Sequence, residues 1–174
     1  MIKFTQRIKV REDYDYTLTL PFDQRIKGRL KVRLDSGEEA GVILDRGPIL
    51  RDGDCIATDD GKVARVQAAN ETVSTVSSDN LLLLSRICYH LGNRHTPLQI
   101  TEGMARYQHD HVLDDMVRGL GLEPICEQAP FEPEPGAYGE HNSDHAHGHS
   151  HGGHSHGGHS HSGHSHSGHS HAHG

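Results

Sequence analysis

Histidine is the residue type with which this chain could do chemistry, and it is distributed unevenly. Residues 141–174 hold 14 of the 18 histidines together with 8 Gly and 8 Ser, so three residue types fill 30 of 34 positions. Neutral imidazole is a good ligand for Ni2+, Cu2+ and Zn2+, and small spacers let several rings converge on one ion at little steric cost. The candidate ligands of this segment are His145, His147, His149, His151, His154, His156, His159, His161, His164, His166, His169, His171 and His173. Ten of them, from His149 to His171, form a near-regular run of Gly-His-Ser-His units. Many ions of moderate affinity are expected there, because each bound ion must order the chain that holds it. A purification tag is ordinarily a clean hexahistidine, whereas this run is long, degenerate and broken by Gly and Ser. The other alternative is a solvated, pH-responsive tail that binds no metal. Ligand type does not name the metal, since the divalent affinity order puts copper above nickel at such a site.

Four histidines precede the tail. His109 and His111 flank Asp110 at a junction between an extended segment and a helix. On extended backbone they point to the same side and could share an ion. Alternatively, they cap and solvate the start of the helix. His90 lies at the flank of an apolar helical stripe, as a polar boundary residue does. His95 follows a Gly-Asn pair and precedes Pro97 on a short connection, where rigid elements present functional side chains to solvent, and it is a ligand candidate. One imidazole is too few for a closed site, so a second copy of the chain or the tail must complete the coordination.

The elements that position these rings follow from periodicity. Ile2, Phe4, Ile8 and Val10 share one parity, and so do Tyr14, Tyr16, Leu18, Leu20 and Phe22, then Leu30, Val32 and Leu34. A period of two puts one face in a core and the other in water. Turns at Asp35-Ser36-Gly37, Asp52-Gly53 and Asp59-Asp60-Gly61 separate further strands at Ala40–Leu44, Cys55–Thr58 and Lys62–Ala68. About six short strands without a helical stretch predict a β-rich barrel or sandwich over residues 1–70. From Glu71 the period changes. Thr72–Ser77 predicts a strand, Ser78 or Asp79 an N-cap, and Leu84, Ile87, Cys88 and Leu91 one buried helical stripe ended by Gly92. Extended segments at Leu98–Thr101 and Met104–Gln108 precede a second helix, with Leu113, Met116, Val117 and Leu120 inward and Gly119 and Gly121 stopping it. Leu122–Gln128 is a weaker strand because Pro124 lacks a ladder donor. The order βαββαβ over residues 71–129 predicts a ferredoxin-like unit, giving an α+β chain. Residues 130–140, rich in Pro and Gly, read as a linker, and 141–174 as a disordered His-rich tail.

Composition excludes several classes of function. All 17 Lys and Arg precede residue 120, against 23 acidic residues up to Glu140, so no basic nucleic-acid binder is expected. The balance is local, with nine basic and four acidic residues in 1–33 but two and nine in 101–140. The longest apolar run, Leu81 to Leu84, is far from the roughly 20 residues of a membrane span, and the alternating start is unlike a signal peptide. Cys55, Cys88 and Cys126 form no Cys-x-x-Cys pair, which argues against a disulfide framework or a thiolate zinc site and for a cytoplasmic protein. No nucleophile beside a base, phosphate-cradling Gly loop or convergent carboxylate pair marks an enzyme.

The string Tyr-His-Leu-Gly-Asn-Arg-His-Thr-Pro-Leu-Gln-Ile at 89–100, with Arg-Tyr-Gln-His-Asp-His-Val-Leu at 106–113 and the His-rich end, closely resembles the UreE urease accessory proteins. The resemblance covers essentially the whole chain. It implies a cytoplasmic nickel metallochaperone with a peptide-binding-like β domain followed by a ferredoxin-like metal-binding domain. It also implies that His95 is the principal ligand, contributed by both protomers of a homodimer, and that His109 and His111 form a peripheral pair. His90 aligns with a family histidine of less defined role. The implied recipient is the urease GTPase accessory protein within the urease maturation complex. The rival from the ligands alone is a metal store with no delivery role.

Overall fold

The computed structural model describes residues 1–136, and these form two sheets of mixed α+β architecture. The tail and residues 137–140 lie outside the described residues. Six strands make the first sheet: β1 (Ile2–Ile8), β2 (Tyr16–Leu20), β3 (Arg29–Arg33), β4 (Glu39–Ile43), β5 (Cys55–Thr58) and β6 (Val63–Ala68), in the order β2-β6-β5-β1-β4-β3. The two edges approach each other through Asp35, just after β3. Its N–H donates to Thr17 O at 3.1 Å, and its carboxylate accepts from the Thr19 N–H and hydroxyl of β2. The sheet is therefore nearly closed, and exposed edge amides are correspondingly few. Phe4, Leu18, Val32, Leu34, Val42, Ile56 and Val66 fill its interior, the alternating face that the sequence predicts. Each such side chain contributes about 1.5–3 kcal/mol by leaving water.

Two details of this sheet differ from the periodicity. The pairing of β1 with β5 shifts by one residue between Phe4 and Gln6. A bulge flips every later side chain to the other face, so Ile8 packs with Cys55, Ala57 and Val63 instead of joining Phe4. Val10 is left exposed. A helical stretch does occur: a single turn, α1 (Phe22–Arg25), follows Pro21, which sets the φ of its entry. The turn serves to bury Arg25, whose side chain is fully enclosed.

The second sheet begins at Asn70. Its elements are β7 (Asn70–Ser77), α2 (Leu81–Asn93), β8 (Gln99–Thr101), β9 (Met104–Gln108), α3 (His111–Leu120) and β10 (Ile125–Pro130). Strand order is β10-β7-β9-β8, antiparallel throughout. The helices lay Leu84, Ile87, Leu91 and Val117 on Val76, Ala105 and Tyr107. The N-cap of α2 is Asn80 rather than Ser78 or Asp79: its side chain accepts from Leu83 N at 3.1 Å. Pro124 precedes β10, so the missing donor costs the ladder nothing.

The described part of the proline-rich stretch after β10 is packed and hydrogen-bonded. Phe131 is buried against Phe22, Val73 and Ala129. The Arg25 guanidinium donates to the carbonyls of Leu20, Leu50 and Phe131 and pairs with Glu132. Arg51 donates to Pro133 O at 2.7 Å, and Glu134 N to Leu98 O at 2.8 Å.

Candidate functional site

The α2–β8 connection is fixed at both ends by core residues. Leu91, with no exposed surface, ends the apolar stripe, and Leu98, 7% exposed, re-enters the core. The six residues between must turn the chain over the sheet. The helix does not stop at Gly92. That glycine stays helical, with open space where a Cβ would stand, and the helix runs on to Asn93. The left-handed residue that closes it is His95, at φ 58°, the one non-glycine with positive φ among the described residues. Its N–H donates to Gly92 O at 2.9 Å, and Arg94 N to Leu91 O at 3.1 Å. A β-carbon in this conformation costs about 1–2 kcal/mol, and glycine is the usual occupant at a helix end. The strain holds an exposed imidazole at the tip of a short, anchored turn.

His109 and His111 bracket the β9–α3 junction. The N-cap is Asp110, between them, whose carboxylate accepts from Val112 N at 2.8 Å and Leu113 N at 3.0 Å. The Leu113 amide foremost holds that carboxyl below the usual range. The histidines are thus free of the capping role. His111 is exposed as the first residue of α3. His109 is half-exposed, with Nδ1 turned inward, 3.0 Å from Ser74 Oγ and 3.3 Å from Asp114 Oδ2. His90 is exposed in the last turn of α2, its ring edge-on to Tyr89 at 5.3 Å.

Register shows which of these rings share a region. Gln99 pairs with Arg106 and Val73 with Gln108, so the start of β8, the end of β9 and the start of β7 lie at one end of the sheet. The connections bearing His95, His109 and His111 leave from that end. Glu132 and Glu134 are there too, bonded to Gln99 and Leu98, so the chain departs toward its C-terminus close to the His95 turn. Among the described residues no three His, Cys, Asp or Glu converge as a closed metal cage. His145 to His173 lie outside the described residues.

Two features escape periodicity altogether. Asp114, on α3, is 3% exposed and accepts from the buried Tyr107 hydroxyl at 2.6 Å. Burial, and then the neighbouring carboxylate, push the Tyr107 phenol well above its ordinary pKa. On the first sheet, Arg7, Arg29 and Arg46 line a cleft of about 560 Å3 that also holds Asp45 and is floored by Gly28. A Cβ at Gly28 would stand 2.9 Å from Leu44 O, so the floor must be glycine. Among the described residues none of the three arginines has a carboxylate partner within ion-pair distance.

Comparison with known proteins now gives this architecture a class. A family model for the N-terminal domain of the UreE urease accessory protein matches residues 4–69, and one for its C-terminal domain matches residues 71–173. The class so defined is that of accessory proteins of urease. The urease accessory protein UreE of Alkalilimnicola ehrlichii is 63% identical over 139 residues, covering 80% of this chain and 85% of its own length. That of Tolumonas auensis is 61% identical over 143 residues, covering 79% of this chain and 76% of its own. That of Vibrio parahaemolyticus is 51% identical over 158 residues, covering 87% and 99%. The chain belongs to the UreE urease accessory protein family. Among the described residues no helix is long and apolar enough to cross a membrane.

Proposed function

We propose that this protein is a cytoplasmic metallochaperone that binds nickel through histidines and delivers it for assembly of the urease active site. The observation that carries the proposal is His95: a helix end that glycine would close without strain is closed by an exposed imidazole instead. Strain kept at one residue points to a role for its side chain. In a homodimer, two His95 rings across the two-fold axis make an open site, with water or tail imidazoles in the remaining positions. An incomplete site can pass its ion to a partner. His109 and His111 serve as a peripheral pair, and His145 to His173 gather and store ions. Cu2+ and Zn2+ also bind in vitro by the same chemistry, so availability and transfer decide selectivity.

In this reading residues 1–70 are a peptide-binding-like domain and residues 71–129 a ferredoxin-like metal-binding domain, supported by the strand order β10-β7-β9-β8. Residues 130–140 connect to the tail at 141–174. The tail tethers imidazoles near the interface, raising their local concentration. The arginine-lined cleft of the first sheet suits carboxylates of the urease GTPase accessory protein, the recipient within the maturation complex. A pull-down of that GTPase with the full chain, with and without nickel, tests the reading: nickel-dependent capture is expected. No capture in either condition would leave a metal store in place of a courier.

A further inference from the structure

Asp114 stands out because nothing in the packing of α3 calls for it. The helix turns Leu113, Met116, Val117 and Leu120 toward the second core, yet it also buries a carboxylate. A buried carboxylate must be hydrogen-bonded or paired, and it can only accept. Oδ1 receives the Tyr107 hydroxyl at 2.6 Å. Oδ2 lies 3.3 Å from His109 Nδ1, and its one ion-pair neighbour among the described residues is that ring. Among the described residues no buried side-chain N or O is left without a partner.

Two tautomers of His109 are open in principle. If the fully buried Ser74 hydroxyl, 3.0 Å away, donated to Nδ1, the ring hydrogen would sit on Nε2 and the Asp114 carboxylate would face the Nδ1 lone pair at 3.3 Å, which is repulsive. If Nδ1 carries the hydrogen, Ser74 Oγ can accept it at 3.0 Å, the Asp114 carboxylate 3.3 Å away favours the hydrogen on that nitrogen, and Nε2 keeps its lone pair. The side chain is 37% exposed, so that lone pair has access to solvent.

We infer that Asp114, held by Tyr107, is a positioning residue that together with Ser74 keeps His109 in the Nδ1–H tautomer and leaves Nε2 as the donor for a divalent transition-metal ion. The inference rests on the reading of His109 and His111 as a peripheral ligand pair. Carboxylate contacts to the far nitrogen of a ligating imidazole fix ring and tautomer, and their loss lowers metal affinity about 10–100-fold.

The test uses the full chain and two readouts. Long-range proton–nitrogen correlation of the metal-free protein reports the tautomer of each ring, with His109 assigned by its disappearance in His109→Ala. Nickel added past saturation of the tail signals then reports binding at His109. The wild type should show Nδ1–H, and Asp114→Asn, which keeps a side-chain acceptor, should preserve it. The double variant Tyr107→Phe with Asp114→Leu removes both buried partners at once, which spares the fold an orphaned group. Its His109 should switch to Nε2–H and need about 10–100-fold more nickel to respond. Wild-type His109 in the Nε2–H form overturns the inference, as does an equal nickel response in the double variant. A wild-type Nδ1–H ring that ignores nickel instead refutes the peripheral ligand reading and leaves the tautomer measurement standing.

Discussion

The two sheets differ in chemistry as much as in topology. Residues 1–70 hold 13 of the 17 Lys and Arg against 12 acidic residues, and no histidine at all. Residues 71–140 hold four cations against 11 acidic residues, and all four histidines that precede the tail. The field of the acidic half favours cations, and its four imidazoles are exposed, at the end of α2, on the turn after it and at the start of α3. The first half offers the opposite: a cleft lined by Arg7, Arg29 and Arg46, which have no carboxylate partner among the described residues. On the function proposed above, the surface that holds a cation is thus kept apart from the surface that meets an acidic partner.

The largest test of that separation concerns capacity. Truncation after Glu140 should remove most bound nickel and leave a residual site per dimer, which His95→Ala then abolishes, as read by equilibrium dialysis. A truncated protein that binds none would show that residues 1–140 hold no ion on their own. Next in size is Arg25, the buried cation that bonds the first sheet to residues 131 and 132. Its replacement by Ala strands buried acceptors and should cost about 3–5 kcal/mol. Both sheets should lose structure in one chemical-denaturation transition, and two separate midpoints would mean that they are not coupled through this contact. A smaller effect is expected from Arg7→Glu, Arg29→Glu and Arg46→Glu together. GTPase capture should weaken at least about tenfold and lose its salt dependence, with nickel stoichiometry unchanged. Loss of nickel in that variant would break the division between the halves. The smallest effect compares His95→Gly with His95→Ala. Both lose the residual ion, but the glycine variant should be the more stable by about 1 kcal/mol in thermal unfolding, because only alanine keeps a Cβ at positive φ. The reverse order would rule out the left-handed turn.

Much of this was legible in the sequence, and the failures have physical reasons. Period-two runs located the strands of the first sheet, and the period-3.6 stripe of Leu84, Ile87 and Leu91 located α2, because burial imposes those spacings. A single turn such as Phe22–Arg25 is too short to carry a period. The bulge in β1 belongs to its pairing with β5, which no local pattern reveals. Gly92 looked like the end of α2 because glycine usually takes the left-handed position. The strained residue was three places later, and the string could show only that His95 lay on a short connection. Asp114 was invisible for another reason. Its meaning depends on Tyr107, which reaches it from β9, and on the His109 ring, which Ser74 meets from β7, and an acidic residue on a helix ordinarily faces water.

The bond from Glu134 to Leu98 has one further consequence. It pegs the chain at residue 134 to a carbonyl only three residues beyond His95. Eleven residues of chain separate that peg from His145, which bounds their distance at about 40 Å whatever the path between them. Covalent reach alone thus ties the start of the His-rich segment to the turn that carries His95.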